Sequence, residues 1–335
     1  MIVRTRSCAR AGLLGNPSDG YFGRTLSFSF TNFAAEVELT ESPKIRFEPG
    51  PNDGRAYEDA DALLTELASF GYYGGLRLLK ATSRLFFEHC REQGLKLAPK
   101  NFTARYSSTI PRLVGLGGSS ALCTAMFLAL MRFYEVEVAR ERSPTLCRLA
   151  ETRELHINAG LQDRVIQVYD GLVAMDFDKA LLDSRGYGGY RSLPPELLPP
   201  VYVAYDERRA EQSGIYHQSL RALSDKKDPG VTAAMRDFAA LARAGVAALE
   251  SGRPGDIAAL VDGNFDLRAS LFQLSEANLR MVKEARAAGA SAKFAGSGGA
   301  IVGTYEGPAM LAALTARLGA IGCAVVVPTI PPTRE

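Results

Sequence analysis

The chain has 335 residues, enough for two domains of ordinary size. Its 47% hydrophobic and 23% charged residues make an ordinary soluble balance, and no apolar run has the length of a membrane span. A net charge of +2 gives no reason to expect nucleic acid or an anionic membrane as a partner.

Residues 1–7 lack the apolar core of a signal peptide. The cysteines Cys8, Cys90, Cys123, Cys147 and Cys323 are scattered, odd in number and without a C-x-x-C pair, so the cytoplasm is the simplest compartment. Cys123 and Cys147 sit in apolar helical patterns and read as core. His89, His156 and His217 show no zinc spacing.

Alternating apolar and polar residues predict strands at 26–30, 35–39 and 45–47. Helices are expected at 59–70 and 76–91, the second burying Leu78, Leu79, Leu85 and Phe86. A strand at 102–107 leads into a glycine-rich loop. The helix after it is apolar nearly all round and should be buried. Ser143-Pro144 starts a helix expected to reach about 158, before Gly160.

The Gly- and Pro-rich stretch 186–200 marks the approach to a domain boundary. We place the domains at 1–195 and 196–335. A strand at 201–205 opens the second half. Helices follow at 231–251, 255–274 and 277–288. Strands at 292–294 and 300–304 flank a glycine cluster, then a helix at 308–318 and a strand at 324–328. The mixture argues for α+β.

Three segments carry chemistry. The first, 111–121, reads Pro-Arg-Leu-Val-Gly-Leu-Gly-Gly-Ser-Ser-Ala. Glycines let the backbone wrap closely, and a helix start offers unpaired N–H groups and a positive dipole end, the usual cradle for phosphate. No Lys follows as in a Walker A loop, and the dinucleotide spacing is absent. The second, 9–19, sets the cation Arg10, a Gly-Asn-Pro turn and the carboxylate of Asp19 close together after a strand. The third, 290–301, holds Gly296, Gly298 and Gly299 between apolar stretches, either as a bare hairpin or as a close approach to a ligand.

In this order and spacing the three segments resemble the GHMP kinases. The likeness is strongest to glucuronokinases, through 10–24, 71–75, 161–167 and 264–268. Gly117-Gly118 departs from the Ser-Gly or Gly-Ser of relatives. The resemblance implies a two-domain α+β fold: a mixed α/β N-terminal domain, a ferredoxin-like C-terminal domain, and the active site between them.

It also implies roles. ATP phosphates would lie at Pro111, Gly115, Leu116, Gly117, Gly118, Ser119, Ser120 and Ala121. Mg²⁺ would be held by Ser120 and Glu151, with Ser119 able to share the task and Glu154 reading as a surface acid. Asp163 would accept the proton of the attacking sugar hydroxyl, with Arg10 beside it. Asp19, Gly296 and Gly298 would face the sugar. Lys293 reads as a surface or structural cation.

The implied reaction is ATP-dependent phosphorylation of the anomeric hydroxyl of D-glucuronate. Galacturonate, arabinose, galactose or a heptose is the alternative acceptor. A uronate carboxylate calls for a guanidinium, and Arg24, Arg77, Arg164 and Arg268 are candidates. Tyr72, Tyr73 and Tyr187 are candidates for contacting the sugar ring. A non-catalytic relative and a decarboxylase-type relative are the remaining, weaker readings.

Overall fold

The computed structural model describes residues 1–50, 53, 56–70, 74–206 and 229–334. Tyr72, Tyr73 and His217, singled out above, lie outside the described residues.

β1 (Ile2–Leu14) pairs antiparallel with β2 (Arg24–Ser42). Side chains alternate between exposed and buried over the first residues of β1, then are buried without interruption from Ser7 to Leu14. That switch marks where the strand passes from a solvated face into the core, covered on both sides. Arg10 therefore lies within a buried strand rather than in a turn after one.

β2 is the spine of the first sheet. β4 (Asn101–Ser108) pairs with its later residues, and β5 (Leu172–Asp176) with its first ones. β3 (Arg46–Phe47) and β6 (Gly189–Leu193) complete the order β3-β4-β2-β5-β6, with β1 on β2.

The separate strands expected at 26–30 and 35–39 are one strand. Register shifts between Cys8/Ala9 and between Gly12/Leu14 absorb the irregular residues, so pairing continues past them.

α1 (Ala60–Phe70) and α2 (Gly75–Glu92) fall within one residue of expectation, and α3 (Gly118–Tyr134) follows the glycine loop directly. α3 is buried along most of its length and packs on β1 and β2. Phe86 of α2 meets Phe127 of α3 edge-on at 5.9 Å, and Phe102 of β4 meets Phe133 at 5.7 Å. Complete burial of such a ring contributes roughly 2–3 kcal/mol.

The helix expected to reach 158 is cut short. α4 (Ser143–Leu149) gives way to a single π-helical turn, Ala150–Glu154. Such a turn inserts one residue into the helical ladder. Glu151 is fully buried in it, while Arg153 faces solvent. α5 (Gln162–Tyr169) and α6 (Lys179–Arg185) then flank β5.

The second sheet orders as β10-β7-β9-β8, built from β7 (Val201–Tyr205), β8 (Lys293–Phe294), β9 (Ala300–Thr304) and β10 (Ala324–Val326). Numbered within this half the order is 4-1-3-2, the ferredoxin-like arrangement. Its helices are α7 (Pro229–Glu250), α8 (Ile257–Leu271), α9 (Glu276–Ala287) and α10 (Gly307–Ala320). α7 also packs against β2, and Val203, Ala242 and Val302 share one core with Phe28 and Phe30.

A strap of residues 327–334 crosses back to the first half. The Thr31 amide donates to Thr329 O at 2.8 Å, and the Thr329 amide to Asn32 Oδ1 at 2.8 Å. The Arg334 amide donates to Tyr169 O at 2.8 Å, and its guanidinium pairs with Asp170 at 2.6 Å. The strap thus fastens to the end of α5.

All five cysteines are buried and unpaired, as the apolar patterns around Cys123 and Cys147 required. Among the described residues no helix is long and apolar enough to cross a membrane.

Candidate active site

The two glycine segments meet over β1. The Arg10 amide donates to Leu116 O at 3.2 Å, and the Gly12 amide to Ala295 O at 2.8 Å. A Cβ on Gly296 would stand 2.3 Å from Gly115 O, and one on Gly115 would stand 2.8 Å from Gly298 O. Only glycine permits this approach, and Gly115 also has a positive φ of 69°. Gly117 follows at φ 80° and caps the start of α3.

Beneath the glycines lies a cleft of about 390 Å³. Asn16, Pro17 and Asp19 line one side, and Gly115–Ser119 with Pro111 another. Asn158–Gly160, Gln162–Arg164, Glu151, Arg268 and Gly296 close it.

Asp163 sits in the first turn of α5. Arg10 holds it with both arms of its guanidinium: Nε to Oδ1 at 2.7 Å and Nη2 to Oδ2 at 2.6 Å. Nη1 of Arg10 donates to Gly115 O. One side chain thereby ties the carboxylate to the glycine loop. Such fork-to-carboxylate pairing fixes orientation as well as charge.

Asp19 approaches from the turn after β1 and accepts from the Gln162 amide at 3.4 Å. Burial, with the Asp163 charge second, pushes its carboxyl up to about 6. A Cβ at Gly160 would stand 2.0 Å from an Asp19 oxygen, which explains glycine there.

Glu151 lies in the same cleft. Its Oε1 accepts from Ser119 Oγ at 2.7 Å. Its Oε2 accepts from Arg164 Nε at 2.9 Å and from Arg164 Nη2. The hydroxyl expected against Glu151 was that of Ser120. Ser120 is 1% exposed, and its hydroxyl turns back to Gly117 O at 3.0 Å. Consecutive residues on a helix point about 100° apart, so only one of the two hydroxyls reaches Glu151.

Five further expected site residues stand outside the lining or are engaged by the protein itself. Arg24 lies outside the cleft lining, directly opposite Asp176 across the β2–β5 ladder, with Nε 2.7 Å from its Oδ2. Arg164 lines the cleft, but its guanidinium serves Glu151 and Gly160 O. Arg268 donates to the carbonyls of Gly296 and Ser297 at 2.9 and 3.0 Å, bracing that loop. Gly298 and Ala121 stand behind the lining rather than in it.

Several residues were not foreseen. Gln167 lies one turn after Asp163 and donates to Gly117 O at 2.8 Å and Cys8 O at 3.2 Å. α5 thus carries the Asp163 carboxylate, the partner of Glu151 and a grip on the glycine loop. Tyr106 lines the cleft and donates to Asp53 at 2.5 Å.

Asn264 clasps the turn after β1, accepting from the Gly15 amide at 2.7 Å and donating to Asn16 O at 3.2 Å. Lys293 is 2% exposed and structural, not superficial. Its ammonium donates to Gly12 O, Asn16 Oδ1 and Phe294 O at 2.5, 2.6 and 2.8 Å. All three of its protons are used.

The fold and this cleft define a GHMP kinase. The GHMP kinases N terminal domain matches residues 77–171. The chain is 43% identical over 341 aligned positions to probable glucuronokinase 2 of Arabidopsis thaliana, covering 99% of this chain and 93% of that protein. It is 41% identical over 306 positions to glucuronokinase 1 of the same plant, covering 90% and 84%. Lactococcus lactis galactokinase complexed with galactose shares the fold, with a TM-score of 0.74, 16% identity and coverage of 100% and 95%.

The chain belongs to the GHMP kinase family. It is a sugar kinase, a glucuronokinase-like phosphotransferase with an alcohol group as acceptor.

Proposed function

We propose that the chain transfers the γ-phosphoryl group of ATP to the anomeric hydroxyl of D-glucuronate, giving glucuronate 1-phosphate and ADP. The observation that carries this reading is the Arg10–Asp163 pair, held at 2.7 and 2.6 Å under the glycine loop. It supports a base fixed beside a phosphate site. The glucuronokinase relatives favour a uronic acid as acceptor.

The β- and γ-phosphates lie along Gly115–Ser119, facing the amides that open α3. Asp163 accepts the proton of the C1 hydroxyl as its oxygen bonds to the γ-phosphorus and the bond to the bridging β-oxygen breaks. Arg10 orients Asp163 and adds positive charge beside the transferring group. Asp19 accepts hydrogen bonds from sugar hydroxyls. Gly296 closes the cleft from the second half.

Ser119 and Glu151 suit Mg²⁺, since a hydroxyl and a carboxylate oxygen are hard donors. Among the described residues no cluster of three or more His, Cys, Asp or Glu could hold a metal. Few protein ligands suit an ion that keeps waters and phosphate oxygens. When bound, the ion neutralises phosphate charge.

The test is ADP release with ATP, Mg²⁺ and, in parallel, D-glucuronate, D-galacturonate, D-galactose, D-glucose and L-arabinose. Glucuronate should exceed glucose clearly in kcat/KM. A neutral sugar as the best substrate would discard the uronate assignment and keep the kinase.

A further inference from the structure

We propose that Arg164 is a resident counter-ion for Glu151. It keeps the metal-holding carboxylate electrically neutral until a nucleotide arrives, so that the divalent cation binds with the nucleotide and not before it. The inference rests on the kinase reading above and adds a role for Arg164 in it.

The geometry is specific. Glu151 is fully buried, and the Arg164 side chain is 4% exposed. Both guanidinium contacts, Nε at 2.9 Å and Nη2, fall on the same oxygen, Oε2. Oε1 is left to Ser119 and to whatever shares that hydroxyl. Nη1 is anchored on Gly160 O at 3.0 Å and stands 3.7 Å from Asp163 Oδ2. The guanidinium is thus fixed from both sides.

A guanidinium keeps its proton in proteins, and this one stands against two carboxylates, those of Glu151 and Asp163.

The pair Arg164⁺–Glu151⁻ sums to zero. Arg10 and Asp163 cancel in the same way beside it. A divalent ion entering the empty cleft meets a hydroxyl and one shared carboxylate oxygen, with no net negative charge at the pair to repay its dehydration. The phosphates of the nucleotide supply that charge. Arg164 is a positioning residue: it acts through Glu151, which it holds with two guanidinium nitrogens.

The experiment is Mn²⁺ titration of the nucleotide-free protein, read by electron paramagnetic resonance. Wild type should bind Mn²⁺ weakly, and tightly once a non-hydrolysable ATP analogue is added. Arg164→Met should gain nucleotide-free Mn²⁺ affinity by about tenfold or more. Arg164→Gln, which keeps a donor to Glu151 and folds more readily, should gain too. The double variant Arg164→Met/Glu151→Gln should lose the gain.

Tight Mn²⁺ binding by nucleotide-free wild type overturns the proposal without any variant. So does the absence of a gain in folded Arg164→Gln. Wild-type turnover separates the two readings. Active wild type without a variant gain removes only the counter-ion. Failure of wild type to phosphorylate any sugar removes the kinase reading.

Discussion

Arg10–Asp163 and Arg164–Glu151 are both guanidinium–carboxylate pairs on the wall of one cleft, yet they differ in depth and in how their oxygens are used. Arg10 spreads its arms over both oxygens of Asp163, whose side chain is still 21% exposed to the cleft. Arg164 places both arms on one oxygen of a fully buried Glu151. The first arrangement orients a carboxylate that, in the proposed reaction, meets substrate. The second holds a carboxylate that would otherwise be an uncompensated buried charge. One pair is built for reaction and the other for order.

Breaking the first pair should cost mostly rate. Asp163→Asn should lower kcat by roughly 10³ or more, with nucleotide affinity nearly unchanged and a smaller loss of stability than Arg164→Met gives; steady-state kinetics beside a nucleotide titration checks this. Breaking the second should cost mostly stability. Arg164→Met should lose about 3 kcal/mol in urea unfolding, while Arg164→Met/Glu151→Gln recovers much of it. Equal losses of stability from Asp163→Asn and Arg164→Met would end the contrast.

Asp19 sharpens the comparison, because among the described residues no arginine forms an ion pair with it. Its folded-state pKa, about 6, stands above the unfolded value. Its contribution to stability is therefore present below the unfolded pKa and lost as pH rises through about 6. Asp19→Asn should be about 1–2 kcal/mol more stable than wild type at neutral pH and similar at low pH, measured by thermal melts across that range. The same ionisation should raise wild-type kcat/KM for sugar through about pH 6, a rise that Asp19→Asn should lose.

Arg24→Ala should have the smallest effect. Its half-buried cross-strand pair with Asp176 is worth about 1 kcal/mol or less, and the KM for sugar should not move.

The glycine segments were legible in the sequence because close backbone approach leaves no alternative residue, as Gly115 and Gly296 show. Arg10 and Asp163 followed from resemblance and do meet. Direction was not legible. Arg24 on a strand reads the same whether it faces a cleft or its neighbour, and register decides. Ser119 and Ser120 differ only by helical phase. Glu151 lay in an expected helix, but the π turn that buries it has no periodic signature. For Lys293 the sequence left surface and structural roles open, because lysine is seldom buried and its three acceptors come from distant segments and its own neighbour. The ferredoxin-like half was easier, since its helices bury one stripe and its strands are short and apolar.

The strap formed by residues 327–334 has a kinetic consequence. Thr31 and Thr329 are 298 positions apart, so their contact closes one of the longest loops the chain can make. Loop entropy places such a contact after the sheets have assembled, beyond the folding barrier. Weakening it through Arg334→Ala should hasten unfolding and leave the refolding rate almost untouched. The strap would then set how long the folded enzyme lasts, and hardly at all how quickly it forms.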